Sequence, residues 1–190
     1  MTDFTKINPR EDLTYMTPPN AVVLVSTVNQ AGTPNLAPFG YATVVADDPA
    51  TLLISIHKNS ETWQNIQATG TFVAAYLPPE HVAAVYAAGD KIPPEINDFD
   101  YTGLTPQSAQ AVPAPLVAEA EVNLELKFLG NQPVGTQQVV LGEVVAAHLI
   151  PQIAQISGKE RRKRVSGLYF TTGGHYFTPG EPPKNPARPA

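Results

Sequence analysis

The stretch ISIHKNSETWQNI, residues 54–66, joins the end of a strand pattern to the start of a helix pattern through a short polar loop. Residues 51–57 are mainly β-branched residues and leucines, as in a buried strand. Residues 63–68 have helical character, Ser60 is placed to cap the first turn, and Gly70 stands where a C-terminal cap is expected. The sequence therefore predicts a strand–loop–helix unit.

The loop of this unit has the composition of an anion site. Unpaired amides and the helix dipole attract negative charge to a helix N-terminus, and here Lys58, Ser60 and Thr62 add one cation and two hydroxyls. This combination suits a phosphate monoester. A capped surface helix with a solvated lysine explains the same residues, so the loop alone leaves both interpretations open.

Composition excludes several classes of protein. The chain has 190 residues, which suits one domain with an N-terminal arm of about residues 1–17 and a proline-rich tail of about residues 178–190. A net charge of -5 argues against nucleic acid as the main partner. Because the chain has no cysteine, disulfides, thiolate nucleophiles and Cys-ligated zinc are excluded, and redox chemistry requires a bound cofactor.

Common site motifs and targeting signals are also missing. The chain contains no GxGxxG, GxxxxGK[ST], GxSxG or HExxH pattern, and its histidines do not fall at metal-ligand spacing, so we expect no metal site. The N-terminus lacks the apolar core of a signal peptide, and no apolar run is long enough to span a membrane. We therefore expect a cytoplasmic protein without membrane partners.

Strand patterns dominate the rest of the chain. Residues 21–28 are almost continuously apolar, which predicts a strand buried on both faces, and the turn at residues 29–32 predicts a hairpin. Pro34 and Pro38 then forbid a regular central strand, leaving either an irregular edge strand or a segment whose backbone approaches a flat ligand. The turn spacing favours antiparallel pairs, and hence a mainly β fold with few helices. We expect further strands at 42–45, 71–77, 116–129 and 136–149, and the last of these should have a bulge near Gly142. Short helices are expected at 80–88 and 153–165 and a turn at 130–135, whereas residues 89–115 indicate no firm element.

Two segments in this order resemble a known family. GTPNLAPFGY, residues 32–41, is followed by a strand and then by SIHKNSETWQNI, residues 55–66, and this arrangement is similar to the flavin reductase-like family, which has the FMN-binding split-barrel fold. The resemblance extends over about residues 18–176, and it rests on the order and spacing of the matching segments. It implies an antiparallel split β-barrel that forms a homodimer and binds FMN near the dimer interface.

The resemblance also implies which residues surround the cofactor. In the family pattern the segment matching residues 35–41 lies against the isoalloxazine ring, the segment matching residues 55–65 holds the ribityl phosphate, and Lys91 and His148 resemble positions that approach the ring. Gly40 departs from the pattern, because a serine commonly follows the phenylalanine there. The implied cofactor-binding residues are Asn35, Leu36, Ala37, Pro38, Phe39, Gly40, Tyr41, Ser55, His57, Lys58, Ser60, Thr62, Asn65, Lys91 and His148.

By resemblance, the chain is expected to be an FMN-dependent oxidoreductase that passes electrons from NAD(P)H through bound flavin to a flavin or another acceptor. The cofactor does the chemistry, so no catalytic side chain is named. A second hypothesis is a non-enzymatic FMN electron-transfer protein, similar to flavoredoxin, that receives electrons from a redox protein. A third is a barrel that has lost flavin and serves as a binding or scaffold protein.

Overall fold

Seven antiparallel strands form the main sheet of the computed structural model, which describes residues 5, 6, 8, 17–93, 95–161, 164, 165, 167–171 and 175–177. The predicted arm and tail lie almost entirely outside these residues. The strands are β1 (Asn20–Ala21), β2 (Val23–Val28), β3 (Pro34–Phe39), β4 (Ala42–Asp47), β5 (Ala50–His57), β6 (Thr71–Tyr76), β7 (Pro106–Gln107), β8 (Leu116–Val117), β9 (Val122–Val134), β10 (Gln137–Leu149), β11 (Tyr169–Thr171) and β12 (His175–Phe177). The helices are α1 (Glu61–Thr69), α2 (Val82–Ala87), α3 (Asp98–Thr102), α4 (Pro151–Ala154) and α5 (Gly158–Arg161), with a 3-10 turn at Pro79–His81.

The order of the main sheet is β3-β2-β6-β9-β10-β5-β4, and every neighbouring pair is antiparallel. β3 and β4 are therefore its edges. A second sheet has the order β1-β11-β12, and β7 pairs with β8. This arrangement confirms the prediction of a mainly antiparallel β fold, and it places the proline-containing strand β3 at an edge, where the missing amide donors are tolerated.

Strand β2 is buried on both faces, as its continuous apolar run predicts. Successive side chains of a strand point to opposite faces. Val23 and Val25 pack in one core cluster with Trp63 of α1, whereas Leu24 packs in a second cluster with Phe99 of α3. The β2–β3 hairpin is thus held between helices on both sides, which gives β3 a fixed position.

The predicted strand–loop–helix unit is present as β5, a short loop and α1. The Ser60 Oγ accepts a hydrogen bond from the backbone N–H of Trp63 at 3.2 Å, which is the expected cap. Gly70 ends the helix with a φ of 69°, and its N–H donates to the carbonyl of Ile66. Because Trp63 and Ile66 are buried in the core, the first turn of α1 is rigidly placed.

The bulge predicted near Gly142 is also present. The register between β9 and β10 shifts between Leu141 and Gly142. A Cβ at Gly142 would lie only 2.5 Å from Cζ of Phe72 and 3.0 Å from Cδ2 of Leu126, so the core packing requires glycine there.

Four expectations are wrong. The strand expected at 116–129 is interrupted between β8 and β9, and the helix expected at 153–165 is divided, in its described part, into α4 and α5. Residues 130–134, expected to form a turn, continue β9, and the turn lies at Gly135, which has a φ of 59°. Beyond Lys127, β9 pairs with β10 and no longer with β6, so Pro133 stands on a local edge where its missing N–H costs little. Segment 89–115, expected to have no firm element, contains α3 and β7, and the Asn97 side chain caps α3 by accepting from the N–H of Phe99 at 2.9 Å.

Candidate functional site

A cleft of about 570 Å³ opens between β3, the loop that precedes α1 and the segment that follows α2. Its volume lies in the range of small-molecule and cofactor sites. The cleft brings together three stretches that are far apart in the sequence. The lining residues are Asn35, Leu36, Ala37, Pro38, Phe39, Asn59, Ser60, Glu61, Thr62, Ala88, Gly89, Asp90, Lys91, Ile92 and Asp98.

One part of the cleft is apolar. Pro38 and Phe39 of β3 line it together with Ile92. A Cβ at Gly89 would lie 3.4 Å from Cγ of Pro38 and 3.2 Å from the carbonyl oxygen of Tyr86, so glycine lets the end of α2 approach β3 closely. The apolar side chains on this proline-punctuated strand suit one face of a flat ring.

Another part of the cleft is the first turn of α1. Asn59, Ser60, Glu61 and Thr62 line it. The Ser60 cap accepts the N–H of Trp63, while the backbone N–H groups of Glu61 and Thr62 belong to the turn that has no intrahelical acceptors. These amides and the helix dipole favour an anion.

The charged side chains along the cleft are mostly acidic. Among the described lining residues, Lys91 is the cation, and Glu61, Asp90 and Asp98 are the carboxylates. Lys91 and Glu61 are exposed, so solvent screens them. An anion at the start of α1 therefore depends on backbone amides and hydroxyls more than on a cluster of lysines.

A network of hydrogen-bonded polar side chains forms the wall of this part of the cleft. Its members are the half-buried Asn35 and the buried Asn65, Thr27, Thr62 and Asp98. Asn65 Nδ2 donates to Thr27 Oγ1 at 3.1 Å, and Thr62 Oγ1 donates to Asn35 Oδ1 at 3.1 Å. Thr27 Oγ1 lies 3.4 Å from the same Asn35 oxygen, and Asn35 Nδ2 donates to Asp98 Oδ2 at 3.0 Å. The network links α1, β2, β3 and α3, and it fixes the orientation of the Asn35 amide.

These hydrogen bonds show where the side chains of Thr62 and Asn65, two predicted phosphate-binding residues, are directed. The hydroxyl proton of Thr62 is directed to Asn35, and the amide of Asn65 is directed to Thr27. Both side chains are buried. They are therefore in a position to support the wall of the cleft, and the Thr62 group best placed to donate to an anion is its backbone N–H.

Sequence reasoning missed Asp98. Its Oδ2 also accepts the backbone N–H of Leu36 at 2.7 Å. Burial raises the pKa of the Asp98 carboxyl above its ordinary value, and the hydrogen bonds from Leu36 and Asn35 offset this only in part. The available signal was the Asn97-Asp98 pair, since asparagine before an acidic residue is typical of a helix start.

The structure brings most of the predicted cofactor-binding residues together. Gly40 lies against Phe170, because a Cβ at position 40 would come within 3.0 Å of its Cδ1. Tyr41 is half exposed, and Ser55, His57 and Lys58 are absent from the described lining. The predicted residues that line the cleft are Asn35, Leu36, Ala37, Pro38, Phe39, Ser60, Thr62 and Lys91.

His148 lies elsewhere. Its Nε2 is 2.6 Å from Oε1 of Glu125, and it lines a separate cavity of about 360 Å³. Burial by itself raises the pKa of the Glu125 carboxyl, but hydrogen bonds from the backbone N–H groups of Gln110, Ala111 and Val112 and from His148 outweigh it, so the pKa lies below its ordinary value. The predicted approach of His148 to a flavin ring stays a prediction.

Two features are absent from the part of the chain that the structure describes. Within it, no group of three or more histidine, aspartate or glutamate side chains is arranged to hold a metal ion. No helix there is long and apolar enough to cross a membrane.

The chain belongs to the flavin reductase-like family. A family model described as the flavin reductase like domain matches residues 16–173, which is most of the chain. An uncharacterised protein of Aquifex aeolicus (strain VF5) is 34% identical over 132 residues, which cover 67% of this chain and 67% of the relative.

Solved structures with low sequence identity share the fold. Component B of nitrilotriacetate monooxygenase from Bacillus cereus superposes with a TM-score of 0.89 at 22% identity, over 97% of this chain and 100% of the other. A Shewanella frigidimarina protein with a split barrel domain gives 0.82 at 18% identity, over 99% and 100%. Flavoredoxin of Desulfovibrio vulgaris (Miyazaki F) gives 0.79 at 20% identity, over 97% of each chain. The predicted split-barrel fold is thereby confirmed.

Proposed function

We propose that the protein binds FMN in the cleft and acts as an NAD(P)H-dependent oxidoreductase that passes electrons to a flavin or another acceptor. One observation carries the proposal. A single cleft of about 570 Å³ combines the uncapped amides of a helix N-terminus with an apolar wall on a proline-punctuated edge strand. FMN has the matching parts, a phosphate dianion and a flat apolar ring.

The residues present fit this group. The phosphate would be held by the backbone N–H groups of Glu61 and Thr62, with the hydroxyl of Ser60 and the side chain of Asn59 nearby in the lining. The ring would be held against Pro38 and Phe39.

When bound, FMN supplies the capacity to accept a hydride and to pass electrons on. The residues of this chain bind and orient the ring and exclude water from one of its faces. The apolar side chains of Pro38, Phe39 and Ile92 would exclude the water, and the network of hydrogen-bonded polar side chains around Asn35 would keep β3 in place.

The visible spectrum of the purified protein tests this function. After FMN is added and free flavin is removed, a flavin band at a ratio near one per chain is expected. NADH or NADPH, added without oxygen, should bleach the band, and steady oxidation of the nicotinamide should follow when free flavin is present. A preparation that retains no flavin at micromolar concentration would contradict the proposal.

A non-enzymatic electron-transfer protein is the second candidate function. It is favoured by the acidic lining, in which Glu61, Asp90 and Asp98 outnumber Lys91. The FMN phosphate would have the amides of Glu61 and Thr62 to offset these carboxylates, whereas the phosphates of a nicotinamide nucleotide would meet the carboxylates without such amides. If bound FMN is bleached by a reduced redox protein but by neither nucleotide, this function replaces the first.

We also propose that the protein is a homodimer. The edge strand β4 exposes 63% of Val44 and 48% of Val45, and the neighbouring Tyr41 is half exposed. An apolar edge of this kind is normally covered by another chain. Light scattering at micromolar concentration should give twice the chain mass of 20.3 kDa, and a monomer with FMN bound would contradict the proposal.

A further inference from the structure

The two carboxylate oxygens of Asp98 differ in their hydrogen bonds. The backbone N–H of Leu36 and the Nδ2 of Asn35 both donate to Oδ2, at 2.7 Å and 3.0 Å. Among the described residues, no hydrogen bond to Oδ1 is present, and Oδ1 is not one of the buried side-chain atoms that lack a partner, so it is accessible from the cleft. Since Asp98 lines the cleft and is 8% exposed, Oδ1 is the oxygen that remains for a ligand.

The position of Asp98 along the cleft follows from its contacts. It touches Asn35 and Leu36, at the beginning of β3, whereas the apolar wall of Pro38 and Phe39 lies at the end of the same strand. Through Asn35 it is linked to Thr62 in the first turn of α1. Asp98 therefore lies close to the anion end of the cleft and away from the apolar wall.

An ionised carboxylate only accepts hydrogen bonds, and it repels a phosphate. We infer that Oδ1 of Asp98 accepts hydrogen bonds from the hydroxyl groups of the chain that joins the flavin ring to its phosphate. Asp98 is then a binding residue that selects flavins bearing a polyol chain. This inference rests on the proposed function, because it assigns a part of the same ligand to a residue of the same cleft.

The protonation behaviour of Asp98 agrees with this role. Burial raises the pKa of its carboxyl, and the two donors to Oδ2 only partly compensate. A carboxylate whose burial outweighs its present donors gains from a hydroxyl that supplies another. Hydrogen bonds to a charged acceptor are also stronger than those between neutral groups.

The test uses three flavins and one nearly isosteric variant of the full-length protein. Lumiflavin has the ring alone, riboflavin adds the polyol chain, and FMN adds the phosphate. In Asp98→Asn, the carbonyl oxygen can keep the contacts of Oδ2 with Leu36 and Asn35, while the amide nitrogen takes the place of Oδ1. Asp100→Asn is the matched control, since Asp100 is an exposed residue of the same helix and is absent from the described lining.

Asp98→Asn should weaken riboflavin binding by about tenfold, weaken FMN binding by less because it also removes a charge that repels the phosphate, and leave lumiflavin binding unchanged within about twofold. Asp100→Asn should change none of the three affinities. Riboflavin binding equal to that of the wild type would overturn the inference, and so would an equal loss for all three flavins, because Asp98 would then act on the ring or on the cleft wall.

A measurement on the wild type keeps the inference falsifiable if Asp98→Asn does not fold. Wild-type protein should bind riboflavin at least about tenfold more tightly than lumiflavin. Equal affinities would overturn the inference while leaving the proposed function intact. If the wild type binds none of the three flavins, the proposed function itself fails.

Discussion

The Nε2 atom of His148 lies 2.6 Å from Oε1 of Glu125, a carboxylate that is fully buried. The same carboxylate accepts the backbone N–H groups of Gln110, Ala111 and Val112. One side chain of β9 therefore ties an irregular segment and a histidine of β10 to the sheet. This explains how a proline-rich segment without regular pairing takes a defined course.

Replacing Glu125 by glutamine should lower the free energy of unfolding by about 2–3 kcal/mol, because several donors lose a charged acceptor. The folded pKa of Glu125 is lowered, so its contribution is present above the ordinary pKa of a glutamate and is lost as the pH falls through the lowered value. The free energies of unfolding of wild type and Glu125→Gln, measured with urea, should therefore become more similar as the pH is lowered. Exposed Glu95→Gln is the control, and a pH-independent gap would contradict the account.

The glycine at position 142 should be needed for core packing. A Cβ there would lie 2.5 Å from Phe72, so Gly142→Ala should cost about 1–3 kcal/mol of unfolding free energy. Gly130→Ala on the neighbouring strand is the matched control, since nothing lies within 4 Å of its added Cβ. Denaturant midpoints of the two variants measure the difference. Equal midpoints would show that Phe72 moves aside without cost.

Gly40 and Phe170 should be energetically coupled. A serine at position 40, the residue common in the family pattern, would meet Cδ1 of Phe170 at 3.0 Å. Phe170 also packs on Tyr176, with ring centroids 5.5 Å apart. Gly40→Ser should therefore destabilise the wild type by about 1 kcal/mol and cost less in a Phe170→Leu background. Strictly additive changes in the melting temperature would show that the two sites do not interact.

Glu61 should oppose the binding of a phosphate. It is exposed and stands in the first turn of α1, beside the amides proposed to hold that group. Glu61→Gln should strengthen FMN binding by about two- to fivefold at low salt and leave riboflavin binding unchanged. Glu80→Gln, exposed and absent from the described lining, is the control. An equal gain for riboflavin would mean that the phosphate is held elsewhere.

Local patterns predicted the parts of the site that depend on neighbours in sequence. Ser60 and Gly70 mark the two ends of α1, because helix capping depends on residues within one turn. The continuous apolar run of β2 reflects the burial of this strand on both faces. Asp98 could not be found in this way, since its contacts with Asn35 and Leu36 span 63 and 62 positions. Segment 89–115 has no hydrophobic period, and distant residues determine its course.

The resemblance implied contacts with a cofactor that the structure of a single chain does not test. It placed His148 near the ring, but within one chain this side chain lies on Glu125 and outside the cleft. The alternation of apolar and polar residues along β9 indicates a half-buried strand. It does not indicate that Glu125 accepts hydrogen bonds from the backbone N–H groups of another segment. That information lies in the packing of the tertiary structure.

The most direct test of FMN binding in the cleft is a titration of FMN into isotope-labelled protein, with the backbone amide chemical shifts measured by NMR at each step. The account predicts the largest shifts at Glu61, Thr62 and the segment from Gly89 to Ile92, and it predicts that the shifts at Glu61 and Thr62 shrink when riboflavin replaces FMN. Shifts of equal size at Glu61 and Thr62 with both ligands, or shifts centred on the cavity beside His148, would contradict it.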